Sequence, residues 1–110
     1  MGNLGFYDNR NTPNNHWINS STPTLVDFYA EWCGPCRRQI PIIDNFKSKM
    51  GDDVNVIKVD IDQEQELAKR YRIQSVPTII IFKNGEAMWR ASGIQSHTDL
   101  MVALNRIEWR

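Results

Sequence analysis

Residues 24–36 read TLVDFYAEWCGPC, and this stretch decides the fold class. Its first seven residues form a mostly apolar run of strand length, which is typical of a central strand covered on both faces of a sheet. Pro35 then stands where a helix would begin, and four apolar residues follow at spacings of three and four. These are Ile40, Ile43, Phe46 and Met50. The stretch therefore predicts a buried strand that leads directly into a helix, with Cys33 at the junction.

Strand and helix patterns continue to alternate beyond this stretch. Further strands are predicted over residues 54–61, 78–82 and 87–92, and further helices over residues 64–72 and from a capping-box pattern at Ser96 and Asp99 onward. Alternation requires parallel crossovers, whereas Asn84-Gly85 signals a tight antiparallel hairpin. We therefore expect an α/β fold with a central mixed sheet of four to five strands and helices on both faces.

Composition and charge exclude several classes of protein. The 110 residues are 41% hydrophobic and 24% charged, as in an ordinary globular chain, so we expect one domain over residues 1–110. Thirteen basic residues balance thirteen acidic ones, which argues against a nucleic-acid partner. No run approaches 18 apolar residues, so no membrane span is expected.

The first 24 residues are polar and carry no secretory signal pattern. Residues 4–7 are predicted as a short edge strand, and Thr12-Pro13 as the start of a helix that includes Trp17 and Ile18. A cytoplasmic location is expected, or a periplasmic or secreted one if a signal peptide has been removed.

The two cysteines, Cys33 and Cys36, are the only ones in the chain. A disulfide between them closes too short a loop to stabilise the fold much, so a chemical role is favoured. At a helix N-terminus, backbone N–H groups and the helix dipole stabilise a thiolate on Cys33. Cys36, one turn later, is close enough to attack a mixed disulfide on Cys33. The spacing thus favours an attacking thiol and a resolving thiol.

Two other interpretations of the cysteines are weaker. A zinc site needs four ligands, and the other candidates, His16 and His97, have a spacing that matches no compact zinc module. We therefore expect no metal. Two inert buried cysteines are also conceivable, but a proline-started helix at a strand end argues against inertness.

Residues 30–36, AEWCGPC, closely resemble the active-site signature of the thioredoxin family. Residues 76–78, Val-Pro-Thr, resemble the family's cis-proline segment, and residues 82–86, FKNGE, its hairpin. The resemblance extends from about Leu25 to the C-terminus at consistent spacing, whereas residues 1–24 match only in length and layout. It implies a thioredoxin-like fold.

Asp27 interrupts the apolar strand, so burial should raise its pKa and make it a proton acceptor near neutral pH. A water-facing strand edge is the alternative. The resemblance implies that Asp27 is a buried acid that assists deprotonation of Cys36 through water, and that Lys58 is its partner. Taken alone, Lys58 would more often be a surface lysine with a partly buried stem.

Pro77 on its own would mark a strand start, since proline removes a donor from a sheet. The resemblance implies instead a cis peptide packed against the disulfide, which leaves the backbone of Val76 free to pair with an extended substrate. Seven residues would then form a shallow, mostly apolar surface for protein substrates: Trp32, Gly34, Pro35, Val76, Pro77, Gly93 and Ile94.

The resemblance implies a monomeric protein disulfide reductase in general redox homeostasis. It would act on disulfide-containing proteins without a bound cofactor, and a thioredoxin reductase drawing on NADPH would reduce it again. Two alternatives stay open. One is an oxidase or isomerase on the same fold, although Gly34-Pro35 resembles the reducing members. The other is a binding module in which redox chemistry is incidental.

Overall fold

The computed structural model describes residues 16–109, which form a sheet with helices on both faces. The strands are β1 (Thr24–Tyr29), β2 (Asn55–Asp60), β3 (Thr78–Lys83) and β4 (Glu86–Ser92), and the helices are α1 (Gly34–Met50), α2 (Gln65–Arg70) and α3 (His97–Arg106). Short 3-10 helices cover His16–Asn19 and Gly51–Asp53. The predicted edge strand at residues 4–7 and the helix start at Thr12-Pro13 lie outside the described residues.

The four strands have the order β2-β1-β3-β4. β1 pairs with β2 in parallel, and β3 pairs antiparallel with both β1 and β4. Asn84 and Gly85 join β3 to β4 with φ angles of 53° and 85°, the left-handed backbone that an Asn-Gly hairpin requires. The predicted α/β class and mixed sheet are therefore confirmed, with four strands in the described part of the chain.

Both faces of the sheet are covered, which explains why its strands are almost continuously apolar. Alternate residues point to opposite faces, so Leu25 packs toward α1 and α3 while Val26 packs toward α2 and the first 3-10 helix. The first face includes Ile43, Phe46, Val56, Ile79, Leu100 and Leu104, and the second includes Trp17, Phe28, Ile57, Leu67, Ile80 and Phe82. β1 lies between β2 and β3. Cys33 follows β1 and therefore lies near the middle of the sheet edge at which β1 ends.

The buried face of α1 differs from the predicted one near its N-terminus. The helix buries Cys36, Gln39, Ile43 and Phe46, whereas Ile40 is only half-buried. Cys36 faces the sheet, and the residue one turn after it on the same face is Gln39 rather than Ile40. A polar side chain therefore occupies a core position beside the cysteine pair.

The capping box predicted for the last helix is confirmed. The backbone N–H of Asp99 donates to Ser96 Oγ at 3.0 Å, and the N–H of Ser96 donates to the Asp99 carboxylate at 2.9 Å. These bonds satisfy two backbone donors at the start of α3, so the preceding loop ends at Gln95.

Candidate functional site

The cysteine pair lies at the N-terminus of α1. Cys33 is the N-cap residue, Pro35 occupies the first turn, and the backbone N–H of Cys36 donates to Cys33 Sγ at 3.1 Å. The first turn, which the structure describes in full, contains no acidic side chain. An N–H donor and the positive end of the helix dipole both favour negative charge on Cys33. The predicted setting of a reactive thiolate is therefore present.

The two cysteines form a disulfide and differ in accessibility. Cys33 keeps 4% of its surface exposed and Cys36 1%. Thiol–disulfide exchange requires one sulfur to approach another directly. Both cysteines are buried, and Cys33 is the more exposed of the two residues.

The cis-proline segment packs against this pair. The Val76–Pro77 peptide is cis, Pro77 is buried, and the carbonyl oxygen of Val76 lies 3.6 Å from Cys33 Sγ. The carbonyl oxygen of Pro77 accepts a hydrogen bond from the N–H of Gly93 at 2.8 Å. These contacts bring together the cysteine loop, the cis-proline loop and the loop after β4. The first and the last of these loops are about 60 residues apart in the sequence.

The residues predicted to bind substrate surround the disulfide with different exposures. Trp32 is 69% exposed and Ile94 38% exposed. Gly34, Pro35 and Gly93 are also exposed, Val76 is half-buried, and Pro77 lies beneath them. The result is a partly apolar surface around Cys33, of the kind that suits an extended peptide.

Sequence reasoning missed Asp62, which forms a hydrogen bond to Trp32, an exposed member of that surface. The indole N–H of Trp32 donates to Asp62 Oδ2 at 2.9 Å. Asp62 follows β2 and lies 30 residues from Trp32, so no local pattern in the sequence connects the two. The parallel pairing of β1 and β2 places the chain segments after both strands at the same edge.

Sequence reasoning also missed Gln39. Its side chain is fully buried, its Nε2 donates to the carbonyl oxygen of Gln95 at 2.9 Å, and its Oε1 accepts from the N–H of Gln95 at 2.7 Å. One signal in the sequence could have found it. Gln39 lies three residues after Cys36, so the two residues share one face of the helix, and that face is buried if Cys36 is buried.

Asp27 is buried as predicted. It has no exposed surface, and neither carboxylate oxygen has a hydrogen-bond partner within residues 16–109. Burial raises the pKa of Asp27 from 3.8 to about 7, and the positive charge of Lys58 opposes the rise. Leu25, Asp27 and Tyr29 alternate onto the face that α1 covers, and Tyr29 packs against the cysteine pair. Asp27 therefore lies on the same face of the sheet as the cysteines, two residues before Tyr29 in β1.

Lys58 is the neighbour of Asp27 in the parallel pairing of β1 and β2. Its side chain keeps 18% of its surface exposed, and its Nζ lies 4.0 Å from an Asp44 carboxylate oxygen on α1. It is thus a half-buried lysine beside a buried acid, rather than a surface lysine.

The described residues also bear on metals and membranes. Between residues 16 and 109, no three His, Cys, Asp or Glu side chains are grouped so that they could hold a metal ion. Among the helices of that same range, none has the length and apolar character needed to cross a bilayer.

Comparisons with known proteins agree with this geometry. The thioredoxin family model matches residues 8–106. Thioredoxin of Rickettsia prowazekii is 42% identical over 92 residues, which cover 84% of this chain and 88% of that one. Among solved structures, thioredoxin of Malassezia sympodialis has a TM-score of 0.80 at 26% identity, covering 96% of this chain and 91% of that one.

Oxidised mitochondrial thioredoxin 3 of Saccharomyces cerevisiae has a TM-score of 0.76 at 27% identity, covering 86% of this chain and 88% of that one. The family resemblance that the sequence motifs indicate is therefore confirmed. Together with a cysteine pair that forms a disulfide at a helix N-terminus, these matches show that the chain belongs to the thioredoxin family and is an oxidoreductase that reduces protein disulfides.

Proposed function

We propose that Cys33 is the attacking thiol and Cys36 the resolving thiol in the reduction of protein disulfides. The observation that carries this assignment is the hydrogen bond from the Cys36 N–H to Cys33 Sγ at the start of α1. In the reduced protein, the Cys33 thiolate attacks one sulfur of the substrate disulfide. That S–S bond breaks, the other substrate sulfur leaves as a thiolate and takes up a proton, and a mixed disulfide remains.

Asp27 then accepts the proton of the Cys36 thiol, through water. The Cys36 thiolate attacks Cys33 Sγ, the mixed disulfide breaks, and the second substrate sulfur leaves as a thiolate. Two electrons have passed to the substrate, and the protein holds the Cys33–Cys36 disulfide. A pKa of about 7 suits Asp27 to this transfer, because proton acceptors work best when their pKa lies near the working pH.

Lys58 is proposed to tune this acid rather than to contact the substrate. Its positive charge favours the ionised form of Asp27 and so keeps the pKa lower than burial alone would set it. An acid that stayed protonated at neutral pH would be unable to accept the Cys36 proton.

Substrates are proposed to bind in extended form over seven residues: Trp32, Gly34, Pro35, Val76, Pro77, Gly93 and Ile94. The backbone of Val76 would pair with the substrate main chain beside Cys33, which gives affinity with little sequence preference. All of these residues come from one chain, so a monomer suffices for the site, and residues 1–110 are proposed as one domain.

The disulfide must be reduced again after each cycle. A thioredoxin reductase that takes two electrons from NADPH is the proposed donor. The cytoplasm is the proposed location, because a dithiol that reduces other proteins is maintained most easily in a reducing compartment.

The two cysteines can be distinguished by single serine variants. With insulin as the substrate, Cys36→Ser should accumulate a mixed disulfide through Cys33, whereas Cys33→Ser should neither trap insulin nor reduce it. Mass spectrometry of the trapped species identifies the linked cysteine. Retention of full reductase activity by Cys33→Ser would overturn the mechanism.

A further inference from the structure

We propose that Gln39 is a positioning residue that holds the loop of residues 93–95 in place for substrate binding. The inference rests on the proposed function, because it extends the substrate surface described above to the side chain that supports it from below. The Gln39 side chain has no solvent-exposed surface.

Two hydrogen bonds join Gln39 to the loop. Both polar atoms of the Gln39 side chain bond the same backbone, at 2.9 and 2.7 Å, to the carbonyl oxygen and the N–H of Gln95. The side chain is fully buried, so water cannot replace these bonds without opening the core. Gln39 therefore fixes the backbone of Gln95 relative to α1.

Gln39 lies on the same helix, α1, as Cys36. It lies three residues after Cys36 on the same buried face, so the helix links the disulfide and the loop through one rigid turn. A loop anchored to this turn keeps a constant distance from the reacting sulfurs. Precise placement of remote binding groups relative to reacting atoms strongly affects rate and affinity.

The loop is also anchored on its other side, at Gly93. The N–H of Gly93 donates to the carbonyl oxygen of Pro77, and Gly93 has a φ of +87°, which favours glycine. Ile94, 38% exposed, therefore lies between a residue tied to the cis-proline loop and a residue tied to α1. Without the hydrogen bonds from Gln39 to Gln95, Ile94 would be held on one side only and would be free to leave the substrate surface.

The test compares two buried substitutions on one helix face. Gln39→Met keeps the length of the side chain and removes both hydrogen bonds, whereas Ile43→Val perturbs the same helix one turn further along, away from the loop. Each variant is assayed with insulin, a protein substrate, and with a small disulfide such as 5,5′-dithiobis(2-nitrobenzoic acid), which needs no extended surface.

For Gln39→Met we expect the KM for insulin to rise about fivefold, as when the docked loop is populated only about a fifth of the time. The kcat and the rate with the small disulfide should stay within about twofold of the unaltered protein, by the same population argument. Ile43→Val should leave all three values unchanged. An unchanged KM for Gln39→Met, or an equal fall of both activities, would overturn the inference.

Two further measurements distinguish failure of this inference from misfolding of the variant and from failure of the proposed function. In the unaltered protein, the Gln95 amide should exchange its hydrogen at least about tenfold more slowly than an unprotected amide, and fast exchange would contradict the anchor. Ile94→Asp should raise the KM for insulin. If it does so while Gln39→Met does not, only the role of Gln39 fails; if neither does, the proposed substrate surface fails as well.

Discussion

Replacing Asp27 with asparagine should stabilise the oxidised protein, and the gain should grow with pH. The carboxyl group is buried on the face of the sheet that α1 covers, and no residue between 16 and 109 donates a hydrogen bond to it. Burial disfavours the charged form, so ionisation of Asp27 destabilises the folded protein. Asparagine does not ionise, so the variant does not have this loss of stability.

The size of the effect follows from the pKa. Burial raises the pKa of Asp27 from 3.8 to about 7, so between these two pH values the folded chain binds the proton more tightly than the unfolded chain. Stability therefore falls as pH rises through this window. At about 1.4 kcal/mol for each pKa unit, the full loss above pH 7 is about 4 kcal/mol. Asp27→Asn should remove this loss of stability above pH 7, and near pH 4 it should stabilise the protein only slightly.

The assay is urea unfolding of the oxidised proteins at pH 4, 6 and 8, with the free energy of unfolding extrapolated linearly to water. The oxidised form is used because its cysteines do not titrate. Asp44→Asn is a matched control, since Asp44 is an exposed carboxylate on α1 near Lys58. It should change stability by less than about 1 kcal/mol, with the opposite sign.

A difference in the free energy of unfolding between Asp27→Asn and the unaltered protein that stays the same from pH 4 to pH 8 would refute this prediction. A loss of stability at pH 8 would refute it more strongly, because it would mean that the charged carboxylate is stabilised inside the fold.

Three further predictions concern the surroundings of the site. Lys58→Met should raise the pKa of Asp27 above about 7, because the cation that opposes the effect of burial is removed; NMR titration of the Asp27 carboxyl carbon measures this. Ser96→Ala should cost about 1 kcal/mol of stability in urea unfolding, because α3 loses its N-cap, and an unchanged midpoint would contradict the capping geometry. Asp62→Ala should speed hydrogen exchange of the Trp32 indole N–H, which two-dimensional NMR detects, whereas unchanged exchange would mean that the bond is absent in solution.

Much of the fold was predictable because its strong signals are local. The apolar run before Cys33, the proline after it, the Asn84-Gly85 turn and the capping box each depend on a few neighbouring residues, and each is present in the structure. The cysteine pair was predictable for the same reason, since its spacing and its helix position lie within one short stretch.

The parts of the site that were not predictable depend on pairings between distant residues. Asp62 reaches Trp32 only because β1 and β2 run parallel and end at the same edge. Gln39 was missed for a different reason: periodicity counts apolar residues, so it favoured Ile40 and gave no weight to a glutamine. A buried amide becomes understandable only when the backbone that satisfies it is known.

The most direct test of the account is the midpoint reduction potential of the Cys33–Cys36 pair. It is measured by equilibration in glutathione buffers, with intrinsic tryptophan fluorescence as the signal, since Trp32 is next to Cys33. For this two-electron couple, about 30 mV corresponds to about 1.4 kcal/mol, so reductases and oxidases separate clearly. We predict a potential well below that of the glutathione couple, as a disulfide reductase requires. A potential well above it would contradict the account, because the disulfide would then be the reactive form and the protein an oxidase.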